Sequence, residues 1–300
     1  MTDKTRIAVF GLGSMGYGMA KCCLKAGLTT YGYDIMPAQM EKFQSEGGAV
    51  GALDDVASSL DCAMIVVLNA QQTEAVLFGD NGIVAKLSKC AVVVACATVP
   101  PAFARDMETR CAEHGILYLD APISGGSLKA ASGHLSVMAS GSEAAFERAR
   151  PTLEAISEQV FELGDTAGAG SAMKAVNQLL AGVNLATMTE ALTFGMTQGV
   201  TPEKFFEVIP KCAGTSWMLE NRTPHIVDGD YTPRSQIDIW PKDLGIVLDI
   251  AKSAKFSAPI TATVMQKYLV ASGMGYGAED DAALAKVYAR NVGLTLPGDE

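Results

Sequence analysis

The chain has 300 residues, 49% of them hydrophobic and 19% charged, which is enough to build two globular cores. A net charge of −10 leaves no basic stripe to displace counterions from a phosphate backbone, so nucleic acid is excluded as a partner. Met1 to Arg6 carry no apolar leader and no apolar run approaches the roughly 20 residues that span a bilayer, so a cytoplasmic protein without a membrane partner is expected.

The first predicted strand, Ile7 to Phe10, runs directly into Gly11-Leu12-Gly13-Ser14-Met15-Gly16. In a strand-turn-helix unit the three glycines have separate tasks. Gly11 permits the tight turn, Gly13 lets the backbone approach a pyrophosphate, and Gly16 lets the helix pack closely, while the helix N-terminus faces the phosphates. The second strand, Thr29 to Tyr33, ends at Asp34, near the spacing of about 20 residues at which a carboxylate accepts hydrogen bonds from an adenosine ribose. Ile35 and Met36 follow, with no arginine to neutralise a 2′-phosphate. The expected cofactor is NAD, with NADP disfavoured.

Further apolar runs at Ala63 to Leu68, Ala91 to Cys96 and Ile116 to Leu119 alternate with helical patterns, the signature of a parallel sheet covered by helices on both faces. Leu135 to Ala139 and Val160 to Leu163, flanking a helix at Ser142 to Ile156, are expected to extend that sheet. The pattern changes near Gly164. A breaker-free helical stretch from Ser171 to Thr193 leads into shorter helices punctuated by Pro202, Pro210, Pro224, Pro233, Pro241 and Pro259. The expected fold is α/β: a Rossmann-type, doubly wound NAD-binding domain over 1–164, then an all-α domain over 165–300. Pro297 to Glu300 read as a frayed tail. Seven cysteines form no Cys-x-x-Cys and no metal-ligand cluster, so no metal is expected. Cys22, Cys23, Cys62, Cys90 and Cys96 lie in apolar segments and read as buried reduced thiols.

Two constellations could carry chemistry. Asp120-Ala-Pro-Ile-Ser124-Gly125-Gly126 follows a strand, where two glycine N–H groups and a hydroxyl could cradle a carboxylate. An ordinary Ser-Gly-Gly turn would read the same. Gly168-Ala-Gly170-Ser-Ala-Met-Lys174-Ala-Val-Asn177-Gln178 opens the long helix, with Lys174 and Asn177 on one face. A lysine partly stripped of water has a lowered pKa and can trade a proton with a substrate hydroxyl. A snorkelling lysine beside a core-facing asparagine is the structural alternative. His114, His134 and His225 have no acidic or second-histidine neighbour at useful spacing and read as structural or surface residues.

In this order and spacing, the glycine loop, the Asp-Ala-Pro-Ile-Ser-Gly-Gly segment and the Gly-x-Gly-x-x-x-Lys-x-x-Asn helix start resemble the β-hydroxyacid dehydrogenases, relatives of 3-hydroxyisobutyrate and 6-phosphogluconate dehydrogenases. The resemblance covers nearly the whole chain. It implies an NAD-dependent dehydrogenase of a small hydroxy acid, with Lys174 as catalytic acid/base in a cleft between the domains. Ser124, Gly125, Gly126 and Asn177 would bind substrate; Gln178 stands where many members carry a second asparagine. Thr98 matches a hydroxyl near the nicotinamide ribose, and Lys242, in Lys242-Asp243-Leu244, matches a lysine on the cofactor side. Ser216 to Arg222 and Asp228 to Arg234 resemble the branch that oxidises L-threonate, a four-carbon sugar acid. Asn177, Gln178, Asn221 and Arg222 could supply the extra hydrogen bonds such a substrate needs. 3-Hydroxyisobutyrate dehydrogenase and tartronate semialdehyde reductase are the competing activities, and a non-catalytic cofactor-binding protein is the rival of a different class. Imine reductases share the architecture but usually replace the lysine. The family commonly forms homodimers and homotetramers, which the long apolar helix would suit.

Overall fold

The computed structural model describes residues 4–299; Met1 to Asp3 and Glu300 lie outside that range. The chain divides into two compact units, Met1–Lys174 and Ala175–Glu300. In the first, five parallel strands, β1 (Arg6–Phe10), β2 (Thr29–Tyr33), β3 (Cys62–Ile65), β4 (Val92–Ala95) and β5 (Leu117–Asp120), pair in the order β2-β1-β3-β4-β5. Tyr31 adds a single parallel bridge to Ala49 on the outer side of β2. With that bridge counted as a vestigial strand, the order is the 3-2-1-4-5-6 of dinucleotide-binding sheets. The chain switches direction between β1 and β3, where such sheets open a crevice at the carboxyl ends of their strands.

Both faces of the sheet are buried, and the alternation along each strand assigns side chains to one face or the other. Ile7, Val9, Cys62, Met64, Val92 and Val94 pack on one side with Met19 and Cys23 of the helix Gly16–Lys25 and with Phe146, Ala149 and Leu153 of the helix Glu143–Ile156. Ala8, Phe10, Ala63, Ile65, Val93 and Ala95 pack on the other, with Leu77, Ala104, Met107 and Cys111. β3 ends at Ile65, inside the apolar run Ala63 to Leu68, although the Val66 N–H still donates to the Phe10 carbonyl of β1 at 2.8 Å.

The later strands do not extend this sheet. β6 (Ile123–Ser124), β7 (Leu135–Ala139) and β8 (Ser157–Glu162) form a separate three-stranded sheet, antiparallel between β6 and β7 and parallel between β7 and β8. An isolated bridge between Asp120 and Ser140 joins the two sheets. Pro122, which has no N–H, ends the ladder just beyond β5. Ile123–Ser124, expected to lie in a loop, is instead a short strand.

The second unit contains only helices among its described regular elements. The helix Ala169–Thr197 starts in the first unit and continues into the second, followed by Pro202–Val208, Trp217–Val227, Ile239–Ser253, Pro259–Ala271 and Leu284–Asn291. Leu185, Leu219, Ile226, Leu244 and Tyr268 form its core, where Trp240 stacks on Tyr268 with ring centroids 5.5 Å apart. Pro202 and Pro259 start helices as expected, but Pro224 lies inside Trp217–Val227. The tail is not frayed through Asp299: Leu296 is buried, Asp299 lies 3.4 Å from the Lys286 ammonium, and Gly298 lies against Gly229. Of the free cysteines, Cys22, Cys23, Cys62, Cys96 and Cys111 are buried; Cys90, expected in the core, is exposed at a left-handed turn with φ 65°. No helix among the described residues is long and apolar enough to cross a membrane.

Candidate active site

The glycine loop leaves β1 at the sheet's switch point. Gly11 has φ +97°, and a Cβ there would lie 2.2 Å from the Val66 carbonyl oxygen; a Cβ on Gly16 would lie 1.9 Å from the Gly11 carbonyl oxygen. Both positions therefore require glycine. At Gly13 a Cβ would meet nothing within 4 Å, so its absence keeps space open at the loop surface. Ser14 is exposed, and Met15 occupies the N-cap of Gly16–Lys25, where no side chain caps the first turn. Orphan N–H groups of that kind attract an anion. The Asp34 carboxylate accepts from the Leu12 N–H at 2.6 Å and the Met36 N–H at 2.8 Å, which ties the end of β2 to the loop. Ile35 is 94% exposed and Met36 59%, an apolar pair beside the acid. Open space at Gly13, an uncapped helix start and a fixed carboxylate at ribose spacing fit a dinucleotide. Thr98, partly buried, follows β4.

Asp120, at the end of β5, holds the start of the long helix. Its Oδ2 accepts from the backbone N–H groups of Gly168 at 2.9 Å and Ser171 at 2.8 Å, and its Oδ1 accepts from the Ser171 hydroxyl at 2.7 Å. The Ser140 hydroxyl accepts from the Gly170 N–H at 3.0 Å. A Cβ on Gly170 would lie 2.4 Å from the Met138 carbonyl oxygen, so this glycine allows helix and sheet to approach. Burial pushes the Asp120 carboxyl above its ordinary range, against the hydrogen bonds from Ser171 and Gly168 that favour its charged form. Asp120, Ser140 and Ser171 were not singled out from the sequence; a lone acid at the end of a buried strand was the available signal.

One turn beyond Gly170, Lys174 is buried, and its Nζ donates to the Ile123 carbonyl oxygen at 2.8 Å. The structure thus brings the lysine beside the strand that carries Ser124. Gly125 (φ +136°) and Gly126 (φ +75°) follow, both in backbone conformations that favour glycine, and Gly126 opens the helix Gly126–Ser132.

A turn further along the long helix, the Asn177 side-chain amide donates to the Gln178 Oε1 at 2.9 Å, and the Gln178 amide donates to the buried Asp243 Oδ2. Lys242 places its ammonium 2.7 Å from the Asp243 Oδ1, an ion pair without hydrogen-bond alignment. Arg222 is committed elsewhere. The buried Arg222 donates through Nε to Asp281 Oδ1 at 2.6 Å and through Nη1 to the Asn221 side-chain oxygen, and Trp240 Nε1 donates to Asp281 Oδ2 at 3.1 Å. The expectation that Arg222 binds a polyhydroxylated substrate is therefore corrected, because its guanidinium is buried in an internal network, whereas the exposed Asn221 enters that network through its side-chain oxygen. His225 corrects a second expectation, because its Nδ1 lies 2.8 Å from Asp280 Oδ1, an acidic partner 55 residues away in sequence. Trp217 is half exposed while Met218 is buried.

Residues 6–164 match the family described as the NAD binding domain of 6-phosphogluconate dehydrogenase, and residues 168–288 the family described as NAD-binding of NADP-dependent 3-hydroxyisobutyrate dehydrogenase. An L-threonate dehydrogenase of Cupriavidus necator is 47% identical over 293 residues, covering 97% of this chain and 98% of its own length. A 2-(hydroxymethyl)glutarate dehydrogenase of Eubacterium barkeri is 36% identical over 302 residues, covering 100% of both chains. Among solved structures, a 3-hydroxyisobutyrate dehydrogenase from Salmonella typhimurium superposes with a TM-score of 0.88 at 42% identity, covering 95% of this chain and 100% of the other. The glycine loop, the parallel sheet, the buried helix-borne lysine and these matches agree that the chain belongs to the β-hydroxyacid dehydrogenases, enzymes that act on a hydroxyl group with a nicotinamide dinucleotide.

Proposed function

We propose that the chain is an NAD-dependent dehydrogenase of a four-carbon sugar acid, with L-threonate as the first candidate. The observation that carries this reading is the buried Lys174, whose Nζ is held at 2.8 Å on the Ile123 carbonyl next to Ser124-Gly125-Gly126. The Ser124 hydroxyl and the N–H groups of Gly125 and Gly126 bind the substrate carboxylate. Lys174 takes the proton from the substrate hydroxyl oxygen and returns it in the reverse direction. Asn177, on the same helix face, contacts a substrate hydroxyl, and the Asp120 clamp fixes the helix from which both residues project. Leu12 to Gly16 and Asp34 hold the dinucleotide, whose nicotinamide, when bound, accepts the hydride. Asp34 supports NAD over NADP, since a 2′-phosphate would meet a carboxylate with only Ile35 and Met36 after it. The relatives that act on L-threonate, 42–47% identical over nearly their whole length, support the substrate class.

The test is NADH formation with L-threonate, D-threonate, D- and L-erythronate, 3-hydroxyisobutyrate and glycerate, each repeated with NADP. Selective turnover of L-threonate with NAD is expected. Turnover of 3-hydroxyisobutyrate or glycerate alone would keep the lysine chemistry and discard the sugar acid. Exposed Leu180 and Phe194 on the long helix support a homo-oligomer, which sedimentation of the purified protein would reveal.

A further inference from the structure

The chain of side chains from Lys242 to Asn177 carries directional information. An amide side chain has one accepting end and one donating end, whereas a carboxylate only accepts and an ammonium only donates. Asp243 is 2% exposed; the Lys242 ammonium lies 2.7 Å from one of its oxygens as an ion pair, and the other accepts from the Gln178 amide. Facing a carboxylate, Gln178 has to present its NH₂, which turns its Oε1 toward Asn177. Facing that oxygen, Asn177 has to present its own NH₂, as the 2.9 Å bond records, which leaves its Oδ1 outside that bond. The orientation of both amides thus follows from one charge.

We infer that Asp243 is a positioning residue which, through Gln178, fixes Asn177 with its carbonyl oxygen turned out as an acceptor for a substrate hydroxyl. The inference rests on the proposed contact between Asn177 and substrate. It also gives Gln178 a task that a direct substrate contact does not, because both ends of its amide are already engaged within the protein. Reversing the polarity at position 243 reverses the whole chain. In Asp243→Asn the Lys242 ammonium claims the new amide oxygen, so the new side chain shows its NH₂ to Gln178. Gln178 then flips, and Asn177 flips after it to present a donor to the substrate. Adding Gln178→Glu restores the order. The amide introduced at position 243 donates to one oxygen of the carboxylate introduced at position 178, and Asn177 donates to the other. Asn177 again turns its oxygen outward, with the net charge unchanged.

Two readouts on the full-length protein test this. With the asparagine and glutamine side chains labelled with nitrogen-15, Asp243→Asn should move the side-chain amide resonances of both Gln178 and Asn177, and Asp243→Asn/Gln178→Glu should return that of Asn177 to its wild-type position. In steady-state kinetics with saturating NAD and the best hydroxy acid of the panel, Asp243→Asn should raise KM by roughly tenfold, the scale of one misdirected hydrogen bond, with kcat changed less. The double variant should recover to within about threefold of wild type, although Gln178→Glu alone, which sets two buried carboxylates face to face, should be worse than either. An Asn177 resonance indifferent to Asp243→Asn, or a double variant as impaired as the worse single one, overturns the inference. Correct resonance shifts without the KM change would locate the failure in the proposed Asn177–substrate contact and not in the amide chain.

Discussion

Replacing Asp120 by alanine and by asparagine separates what its carboxylate contributes as a hydrogen-bond acceptor from what it costs as a buried charge. Alanine strands the backbone N–H groups of Gly168 and Ser171 together with the Ser171 hydroxyl. Each buried backbone donor left unpaired costs about 1–3 kcal/mol, which gives about 2–6 kcal/mol for the two. Removal of a carboxyl whose pKa burial has pushed up offsets part of that, leaving a net loss of about 2–4 kcal/mol. Asparagine keeps an oxygen at the Oδ2 position for both N–H groups and can donate to the Ser171 hydroxyl instead of accepting from it, so its cost should stay within about 1 kcal/mol. The assay is urea unfolding followed by circular dichroism at pH 7, paired with hydrogen exchange at the Gly168 to Ser171 amides. The alanine variant should also lose turnover, because Lys174 sits one turn beyond the freed end. A second sign follows from linkage: a carboxyl with a raised folded-state pKa contributes stability that is complete below its unfolded value and lost as pH rises through its folded value. The asparagine variant should therefore gain on wild type as pH rises from about 4. Alanine as stable as wild type, or asparagine as damaging as alanine, would refute the clamp.

Lys174→Ala should lower kcat by about 10²–10⁴-fold, the usual weight of acid/base catalysis, while leaving NAD affinity by fluorescence titration intact; residual activity above that range would remove the lysine from proton transfer. Asp34→Ala should weaken NAD binding by roughly 10–100-fold, for one or two hydrogen bonds to a charged group, and NADP much less; equal losses in calorimetry would contradict the ribose contact. For Asp280, burial raises the pKa, but hydrogen bonds from His225 and the Arg234 N–H outweigh it and leave the carboxyl below its ordinary range. Its stabilising contribution is present above the unfolded value and lost as pH falls through the folded one, so Asp280→Asn should flatten the loss of thermal stability below about pH 4. An unchanged acid limb would show that the His225 pair contributes nothing there.

Most of the first unit was legible because its signals are local. Gly11, Gly13, Gly16 and Asp34 occupy fixed spacings, and Val92 to Ala95 could hardly be other than a strand buried on both faces. The position of Lys174 in the first turns of the long helix was legible for the same reason, one turn after Gly168-Ala-Gly170. What escaped depends on residues distant in sequence. His225 meets Asp280, Arg222 meets Asp281 and Asp120 meets Ser171, all at separations over which no periodicity operates. β7 and β8 had the composition of sheet-extending strands, and only their pairing, beyond Pro122, distinguishes a second sheet from an extension. Arg222 shows the same difficulty in another form: composition made it a substrate ligand, whereas burial against Asp281 made it part of the core.

The uneven distribution of the free thiols gives the protein a built-in clock for one of its halves. Cys23, Cys62, Cys96 and Cys111 are all buried in the first unit, where burial pushes their thiols up, Cys62 and Cys111 to about 12, so each reacts with an alkylating reagent only when its surroundings open. Cys212, the one cysteine of the second unit, is exposed and reacts at once. Slow steps in a mass-resolved alkylation series therefore time the opening of the dinucleotide-binding half alone. Adding NAD to the same series converts cofactor binding into a measured delay, without any engineered probe.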